Sequence, residues 1–283
     1  MTAVLLAAMA AVLFGAMTVL VRIALGTGVA PEAGSFLTIF PAFVVTALFL
    51  ASQGDWDLRA AWPFALAGLL APGTAQILFT FAVRDAGASR TSVTVGTAPL
   101  FSVAIALTLL DEPLVAGLVL GAALIVTGGI LLASERARPT HFKRIGLVYA
   151  FVATAAFASR DPIVRWLATE STDVEPSQGA LLTMLTGMLT ALAFALVTRA
   201  RLTRRAAVAF VPAGVCYGLS YVFLFEAFFR GRVSVVSPIV ATESLWGVLF
   251  SWLVLRSSER VGVRVVGGAA LVVAGGVLIG LNR

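Results

Sequence analysis

The chain has 283 residues, of which 60% are hydrophobic and 12% are charged, and its mean hydropathy is +1.01. Soluble domains are about 45–50% apolar and about 25% charged, so this composition excludes an ordinary soluble domain and indicates a membrane protein. The net charge of +6 comes from basic residues that lie almost entirely beside the connections between apolar segments. That distribution reports membrane topology and argues against nucleic acid as a partner.

Metal and cofactor chemistry find little support in the sequence. The chain has one cysteine, Cys216, and one histidine, His141, which form neither an internal disulfide nor a Cys/His metal cluster. No Gly-x-x-x-x-Gly-Lys-Ser/Thr segment for nucleotide phosphates occurs either. We therefore predict no metal, no cofactor and no nucleotide hydrolysis.

Apolar runs of about 20 residues recur along the chain, and each is long enough to cross a hydrocarbon layer about 30 Å thick as a helix. The alternating pattern of a membrane barrel strand is absent, which favours helices. The sequence predicts ten spans, at residues 2–25, 33–51, 61–83, 88–110, 114–133, 145–168, 178–198, 207–229, 233–255 and 261–281.

Prolines inside these spans include Pro72, Pro99, Pro162 and Pro238. Because proline removes a helix hydrogen bond, Pro72-Gly73 predicts a bend in the third span and residues 96–99 predict a break in the fourth. All four prolines are candidate hinges for a conformational change, and the alternative is that they are kinks tolerated by packing.

The two parts of the chain repeat each other. Residues 121–131 and 268–278 are identical at eight of eleven positions, and the same offset of 147 carries Glu112 onto Glu259. An offset of 143 aligns three residues near the start of each part: Phe14, Val21 and Arg22 with Phe157, Val164 and Arg165. This agreement indicates an internal duplication, with halves at residues 1–134 and 143–283.

Five spans per half is an odd number, so the second half must enter the membrane from the opposite face. The expected fold is therefore all-α, a polytopic membrane protein of ten transmembrane helices arranged as an inverted 5+5 repeat. The glycines repeated in the fifth and tenth spans predict close helix packing, including an alternative contact between two copies of the chain, which leaves monomer and homodimer open.

Basic residues predict the orientation in the cell membrane. With both termini on one face, that face receives five basic residues, the opposite face receives fourteen, and Arg160 lies within a span. The positive-inside rule then places both termini outside the cytoplasm.

The sequence resembles a known family through paired segments in both halves. The matching segments are residues 14–15, 82–89, 98–100, 111–113 and 121–131 in the first half, and 157–158, 227–234, 243–245, 258–260 and 268–278 in the second. Each half resembles an EamA-type domain of the drug/metabolite transporter superfamily. The resemblance implies a ten-helix carrier of small organic solutes, with a central cavity lined by the first, third, fourth, sixth, eighth and ninth spans. Its members are commonly drawn with both termini cytoplasmic, which opposes the charge count.

Arg160 and Asp161 lie near the middle of a span, where each charge costs about 2.5 to 3.5 kcal/mol on the insertion scale. The functional interpretation is a polar floor to the cavity, in which Arg160 holds a substrate carboxylate or phosphate and Asp161 balances it or exchanges a proton. The alternative is a charge pair that serves packing only. Glu243, in the ninth span, is expected either to pair with Arg160 or to be protonated, and a protonated carboxyl group is what a proton-coupled exporter uses.

Four further residues are candidates for binding the substrate: Gln76, Tyr217, Tyr221 and Trp246. A polar or aromatic side chain in mid-span suits a cavity wall, although aromatic residues at helical spacing also serve packing. Glu226 is instead expected to pair with Arg230 one turn further along its helix.

The sequence therefore predicts a secondary transporter of a small organic metabolite in the lipid bilayer, with an amino acid or related amphipathic solute as the best guess. Export is one option, and the sequence leaves the direction of transport open. Proton coupling is included in this hypothesis. The alternatives are an intramembrane enzyme, which lacks a nucleophile with its base, and a lipid-handling membrane protein, which predicts no aqueous cavity.

Overall fold

The computed structural model describes residues 2–54, 57–98, 100–101, 116–133, 142–170, 173–255 and 262–281, and all regular structure in these ranges is helical. The helices are α1 (Thr2–Leu25), α2 (Pro31–Gln53), α3 (Trp62–Gly68), α4 (Ala75–Ala86), α5 (Ala88–Val95), α6 (Ala116–Ala133), α7 (Ile145–Glu170), α8 (Pro176–Val197), α9 (Arg204–Arg230), α10 (Val233–Val240), α11 (Glu243–Val254) and α12 (Val263–Leu281).

Six helical segments in the described ranges are long and apolar enough to cross a membrane: Thr2–Leu25, Pro31–Gln53, Trp62–Ala86, Ile145–Glu170, Pro176–Val197 and Arg204–Arg230. Shorter apolar helices add to them at Val119–Gly128, Glu243–Val254 and Val263–Leu278. The protein is thus an all-α, polytopic membrane protein. Lipid offers no partner to backbone N–H and C=O groups, so the chain satisfies them inside its own helices.

The third span is bent, as the sequence predicts. A π-helical turn, Leu69–Thr74, joins α3 to α4, and within it Ala71 has extended backbone angles (φ −148°, ψ 122°). Proline pushes the preceding residue out of the helical region and cannot donate to the helix ladder, which explains why the bend falls at Ala71 and Pro72. In contrast, α7 continues as a helix through Pro162.

The predicted fourth and ninth spans are each interrupted by a turn, at positions that align between the two halves. α5 ends at Val95 and is followed by a turn at Gly96 and Thr97, as the sequence predicts for this part of the fourth span. The second interruption separates α10 from α11 at Ala241 and Thr242, 145 residues later, so the ninth span is not the single helix expected.

The two interruptions share their hydrogen bonding. The hydroxyl group of Thr97 donates to the Thr94 carbonyl oxygen, and that of Thr242 donates to the Ile239 carbonyl oxygen, both at 2.6 Å. Pro238 lies inside α10, before the turn, and Pro99 lies outside the described residues. Each threonine hydroxyl group thus satisfies a carbonyl oxygen at the turn, where the helix ladder is broken.

Helices of the two halves pack against each other in exchanged pairs. α1 packs on α9 while α7 packs on α4, and α2 packs on α8, α5 on α11 and α6 on α12. Glycine allows the backbones of α6 and α12 to approach closely. A Cβ atom at Gly128 would lie 2.7 Å from the Gly268 carbonyl oxygen, and one at Gly275 would lie 2.5 Å from the Gly121 carbonyl oxygen. The predicted packing role of these glycines is confirmed.

Arg22 and Arg165, which the duplication aligns, make equivalent contacts. Arg22 Nη1 donates to the carbonyl oxygens of Val83 (3.3 Å) and Arg84 (2.9 Å) in the last turn of α4. Arg165 Nη1 donates to those of Phe228 (2.6 Å) and Phe229 (3.3 Å) in the last turn of α9. The last carbonyls of a helix lack partners within it and carry its negative dipole end, so each arginine satisfies a helix end.

The directions of α1 and α7 follow from two contacts. The Lys143 amide donates to the Asp85 carbonyl oxygen at 2.7 Å, which places the start of α7 beside the end of α4, where Arg22 at the end of α1 also lies. At the other end of the bundle, a Cβ atom at Gly231, just after α9, would lie 2.8 Å from Ala3 Cβ at the start of α1. α7 therefore starts at the end of the bundle where α1 finishes.

The α6–α12 contact predicts a difference between two substitutions in the same helix. Gly275→Ala is expected to lower the thermal unfolding midpoint of the detergent-purified protein, because its Cβ atom would meet backbone at 2.5 Å and overpacking costs about 1–3 kcal/mol. Gly267→Ala is the matched control, since nothing lies within 4 Å of its Cβ position, and it should leave the midpoint unchanged or raise it. Equal midpoints for the two variants would contradict the contact.

Candidate functional site

A cavity lies where α1, α4, α5, α7, α9, α10 and α11 meet, which are parts of the six spans named by the resemblance. Its lining residues are Phe14, Met17, Thr18, Phe79, Val95, Ala98, Phe157, Arg160, Asp161, Tyr217, Ser237, Val240, Ala241 and Glu243. The space for the centres of water molecules is about 50 Å³, whereas pockets for organic ligands measure about 300–1,000 Å³. The cavity is narrow in this conformation and has room for a few waters.

Arg160 and Asp161 form a buried ion pair in the middle of α7. Arg160 is 4% exposed, and its Nε and Nη2 atoms donate to Asp161 Oδ1 at 2.9 and 2.5 Å. Its remaining terminal nitrogen, Nη1, donates to the Tyr221 hydroxyl oxygen at 2.5 Å. A buried charge is tolerated when it is paired and hydrogen-bonded, and this guanidinium group has both kinds of partner.

Glu243 lines the same cavity but does not take the partner that one interpretation of the sequence gave it. Arg160 is paired with Asp161, and the described residues contain no ion pair between Arg160 and Glu243. Glu243 is the first residue of α11, directly after the turn at Ala241 and Thr242. The N-terminus of a helix stabilises a negative charge, so the interruption of the ninth span gives this carboxyl group a favourable position within the membrane.

Aromatic rings form much of the remaining wall. The ring of Phe14 makes edge contacts with those of Tyr217 and Tyr221, at centroid distances of 6.0 and 6.1 Å. The Arg160 guanidinium group lies 5.0 Å from the Tyr221 ring centroid and 5.8 Å from that of Phe157. Tyr217 lines the cavity. Tyr221, one turn further along α9, accepts a hydrogen bond from Arg160 through its hydroxyl oxygen.

Three predicted site residues lie outside the cavity lining: Tyr221, which contacts Arg160, and Gln76 and Trp246. Gln76 is fully buried, and neither polar atom of its amide group has a hydrogen-bond partner in the described part of the chain. Trp246 packs against α1, because a Cβ atom added to Gly15 would lie 2.6 Å from the Cβ atom of Trp246. The centroid of the Trp246 ring lies 5.9 Å from that of Phe250. Glu226 pairs with Arg230, as predicted.

The sequence interpretation missed Ser237 as a lining residue. Its hydroxyl group has no hydrogen-bond partner among the residues that the structure describes. Met17 and Thr18, the aligned counterparts of Arg160 and Asp161, also line the cavity. The duplication could have identified these two residues, because they align with Arg160 and Asp161 and line the same cavity.

A bundle of apolar spans around a buried, charged cavity has the architecture of a membrane transporter. The sequence profile of the EamA-like transporter family matches residues 1–134 and 144–281, and the chain belongs to this family, which confirms the resemblance. Seventeen chains of solved structures match this one. One crystal structure among them aligns with 98% of this chain and 95% of its own chain, with a TM-score of 0.71 and 19% sequence identity, a likeness of fold. The search of curated proteins gave no match.

The buried pair predicts a contrast between single and double substitutions. Asp161→Asn should lower stability by about 3–5 kcal/mol, because it leaves the Arg160 charge buried without its ionic partner. Replacing both residues with apolar side chains of similar size, Arg160→Met with Asp161→Leu, should recover most of that loss. The measurement is thermal unfolding in detergent. A double variant less stable than the single one would show that the pair itself is required for packing.

Proposed function

We propose that this protein is a secondary transporter that moves a small organic metabolite, an amino acid or related amphipathic solute, by alternating access between two inverted halves, residues 1–134 and 143–283. The observation that carries the proposal is the cavity to which both halves contribute equivalent positions: Met17 with Arg160, and Thr18 with Asp161. A site on the pseudo-symmetry axis of two halves opens to one side and then the other when the halves rock.

The exchanged helix contacts support the inverted repeat. An in-plane two-fold axis turns the α1–α9 contact into the α7–α4 contact, and both are present. The same axis turns the Gly128–Gly268 approach into the Gly275–Gly121 approach, because these glycines are related by the sequence offset of 147. The opposite directions of α1 and α7 agree with it.

The ten-span count combines long and short segments. Six segments are long enough to span a membrane, and we assign the other four spans to α5 with the residues after it, α6, α10 with α11, and α12. In this assignment the fourth and ninth spans are both interrupted beside the cavity, at Gly96-Thr97 and Ala241-Thr242. Interrupted helices at the substrate site are a recurring feature of secondary transporters.

In this mechanism the narrow cavity is one stage of the cycle, and the halves separate on one side to admit solute. The bend at Pro72 and the two interruptions are the places where helices can change angle with little loss of hydrogen bonding. Pro72, Pro99, Pro162 and Pro238 stay hinge candidates. Arg160, Asp161 and Tyr217 form the polar and aromatic wall that contacts solute, and Glu243 exchanges a proton in a coupled cycle.

Flux measurements test this function. Proteoliposomes containing the purified protein should move at least one solute from a panel of amino acids, nucleosides and cationic drugs, with and without an imposed pH gradient. Arg160→Ala and Asp161→Asn should abolish that flux in protein that still inserts, and Glu243→Gln should remove its response to the gradient. Glu226→Gln, in the pair with Arg230 outside the cavity lining, is the matched control and should transport normally. Normal flux in both Arg160→Ala and Asp161→Asn would overturn the proposed site.

The orientation in the cell membrane is part of the same proposal. The face with fourteen basic residues should be cytoplasmic and both termini should lie on the opposite side. Arg199, Arg201 and Arg205 line one pocket with residues 27–32, which puts this basic cluster at the end of the bundle where α1 finishes.

Reporter fusions at the C-terminus decide the orientation. An alkaline phosphatase fusion, active only outside the cytoplasm, should be active, and a green fluorescent protein fusion, fluorescent only when folded in the cytoplasm, should be dark. The reverse pattern would place the termini in the cytoplasm and would leave the inverted repeat untouched, because both termini stay on one face in either case.

A further inference from the structure

We propose that the cavity selects its solute by positive charge, and that the solute is a monovalent organic amine whose ammonium group lies between Glu243 and Asp161 and whose apolar body lies against Phe14, Phe157 and Tyr217. This inference rests on the proposed function, because it names the class of solute for the same cavity. It narrows that function from amphipathic solutes in general to those that carry an amine without a carboxylate.

The charges on the cavity wall do not cancel. Among the described lining residues, Arg160 is the one cation, and Asp161 and Glu243 are two carboxyl groups. Arg160 and Asp161 neutralise each other through the buried ion pair, so Glu243 has no protein cation among the described lining residues. A carboxylate within a membrane span is costly unless it is paired, so Glu243 holds a proton in the absence of solute and releases it when an ammonium group enters the cavity and supplies the missing partner.

Hydrogen-bond acceptors on the wall also outnumber the free donors. Both Arg160 bonds to Asp161 go to Oδ1, so Asp161 Oδ2 takes part in neither of them. The hydroxyl groups of Ser237 and Tyr217 have no partner among the described residues and can each accept as well as donate, and the Glu243 carboxylate adds two further acceptors. An ammonium group carries three donors and no acceptor, which is the complement of this set.

The aromatic wall suits the same solute. Rings of Phe14, Phe157 and Tyr217 lie beside the carboxyl groups in one lining, and ring faces attract cations while the ring bodies accept apolar groups. The guanidinium group of Arg160 already lies 5.8 Å from the Phe157 ring centroid, which shows that this wall accommodates a cation.

An anionic solute fits the cavity poorly. Its carboxylate would need the Arg160 guanidinium group, whose Nε, Nη1 and Nη2 atoms all donate to Asp161 or Tyr221. Those bonds use three of the five N–H donors, so a carboxylate would find two donors left and would bring its negative charge close to both Asp161 and Glu243. A zwitterion gains the ammonium contact but meets the same obstacle with its carboxylate, which places it between the amine and the acid in expected affinity.

Three solutes of one shape test the inference: 2-phenylethylamine, phenylalanine and 3-phenylpropionate. Binding to the full-length protein in lipid nanodiscs is measured by titration calorimetry, with flux measured in parallel in proteoliposomes. The amine should bind most tightly and the acid most weakly. Glu243→Gln should weaken amine binding about tenfold or more, since hydrogen bonds to a charged group contribute about 1.5–3 kcal/mol, while Glu226→Gln should leave it unchanged.

Glu243→Asp keeps the charge on a shorter side chain, so it should keep the preference for the amine even if Glu243→Gln proves unstable. Tighter binding of phenylalanine or of the acid, amine binding unaffected by Glu243→Gln in folded protein, or no amine binding at millimolar concentration would each overturn the inference. Flux of phenylalanine or the acid in preference to the amine would do so while leaving the transporter function intact. Saturable amine binding without flux of any solute would support the cation site and count against the transporter.

Discussion

Lipid supplies no hydrogen-bond partners, and this constraint shapes the whole chain. Backbone polar groups within the membrane must find their partners inside the protein, and many polar side chains do the same. Threonine hydroxyl groups bond to carbonyls one turn earlier in their own helices, as Thr18 does to Phe14 and Thr154 to Ala150. Arg22 and Arg165 donate to carbonyls at the ends of neighbouring helices, and Arg160 is held by Asp161 and Tyr221.

The same solvent explains why small residues make the contacts between the halves. Hydrophobic burial does not drive helices together in lipid, so association depends on close van der Waals packing. Gly121, Gly128, Gly268 and Gly275 allow backbone to approach backbone between α6 and α12, in two contacts related by the duplication. A second pair of aligned glycines, Gly34 and Gly179, lies against aromatic rings of the opposite half, those of Phe210 and Phe64.

The two halves make similar helix contacts, but they contribute different charges to the cavity. The first half places Met17 and Thr18 on the cavity where the second half places Arg160 and Asp161. The turn before Glu243 has an equivalent at Gly96-Thr97, but the residue that follows there is Ala98. The arginine and both carboxyl groups of the described lining therefore come from one half. The shared scaffold provides the cavity, and the second half provides its polar chemistry.

The sequence alone determined the membrane class, the family and the repeated segments of the two halves, because apolar runs, glycine stripes and an internal duplication are patterns along the chain that need no knowledge of tertiary contacts. It also located the bend at Pro72, since proline acts on its own backbone and on the residue before it. Tertiary structure decided which charges meet. From sequence, Arg160 had equal access to Glu243 and to Asp161, and only the packing of α9 and α10 against α7 set the actual partners. The interruption at Ala241-Thr242 and the absence of Gln76, Tyr221 and Trp246 from the cavity lining were likewise beyond the sequence, because they depend on helix rotation and crossing, which neighbouring helices fix.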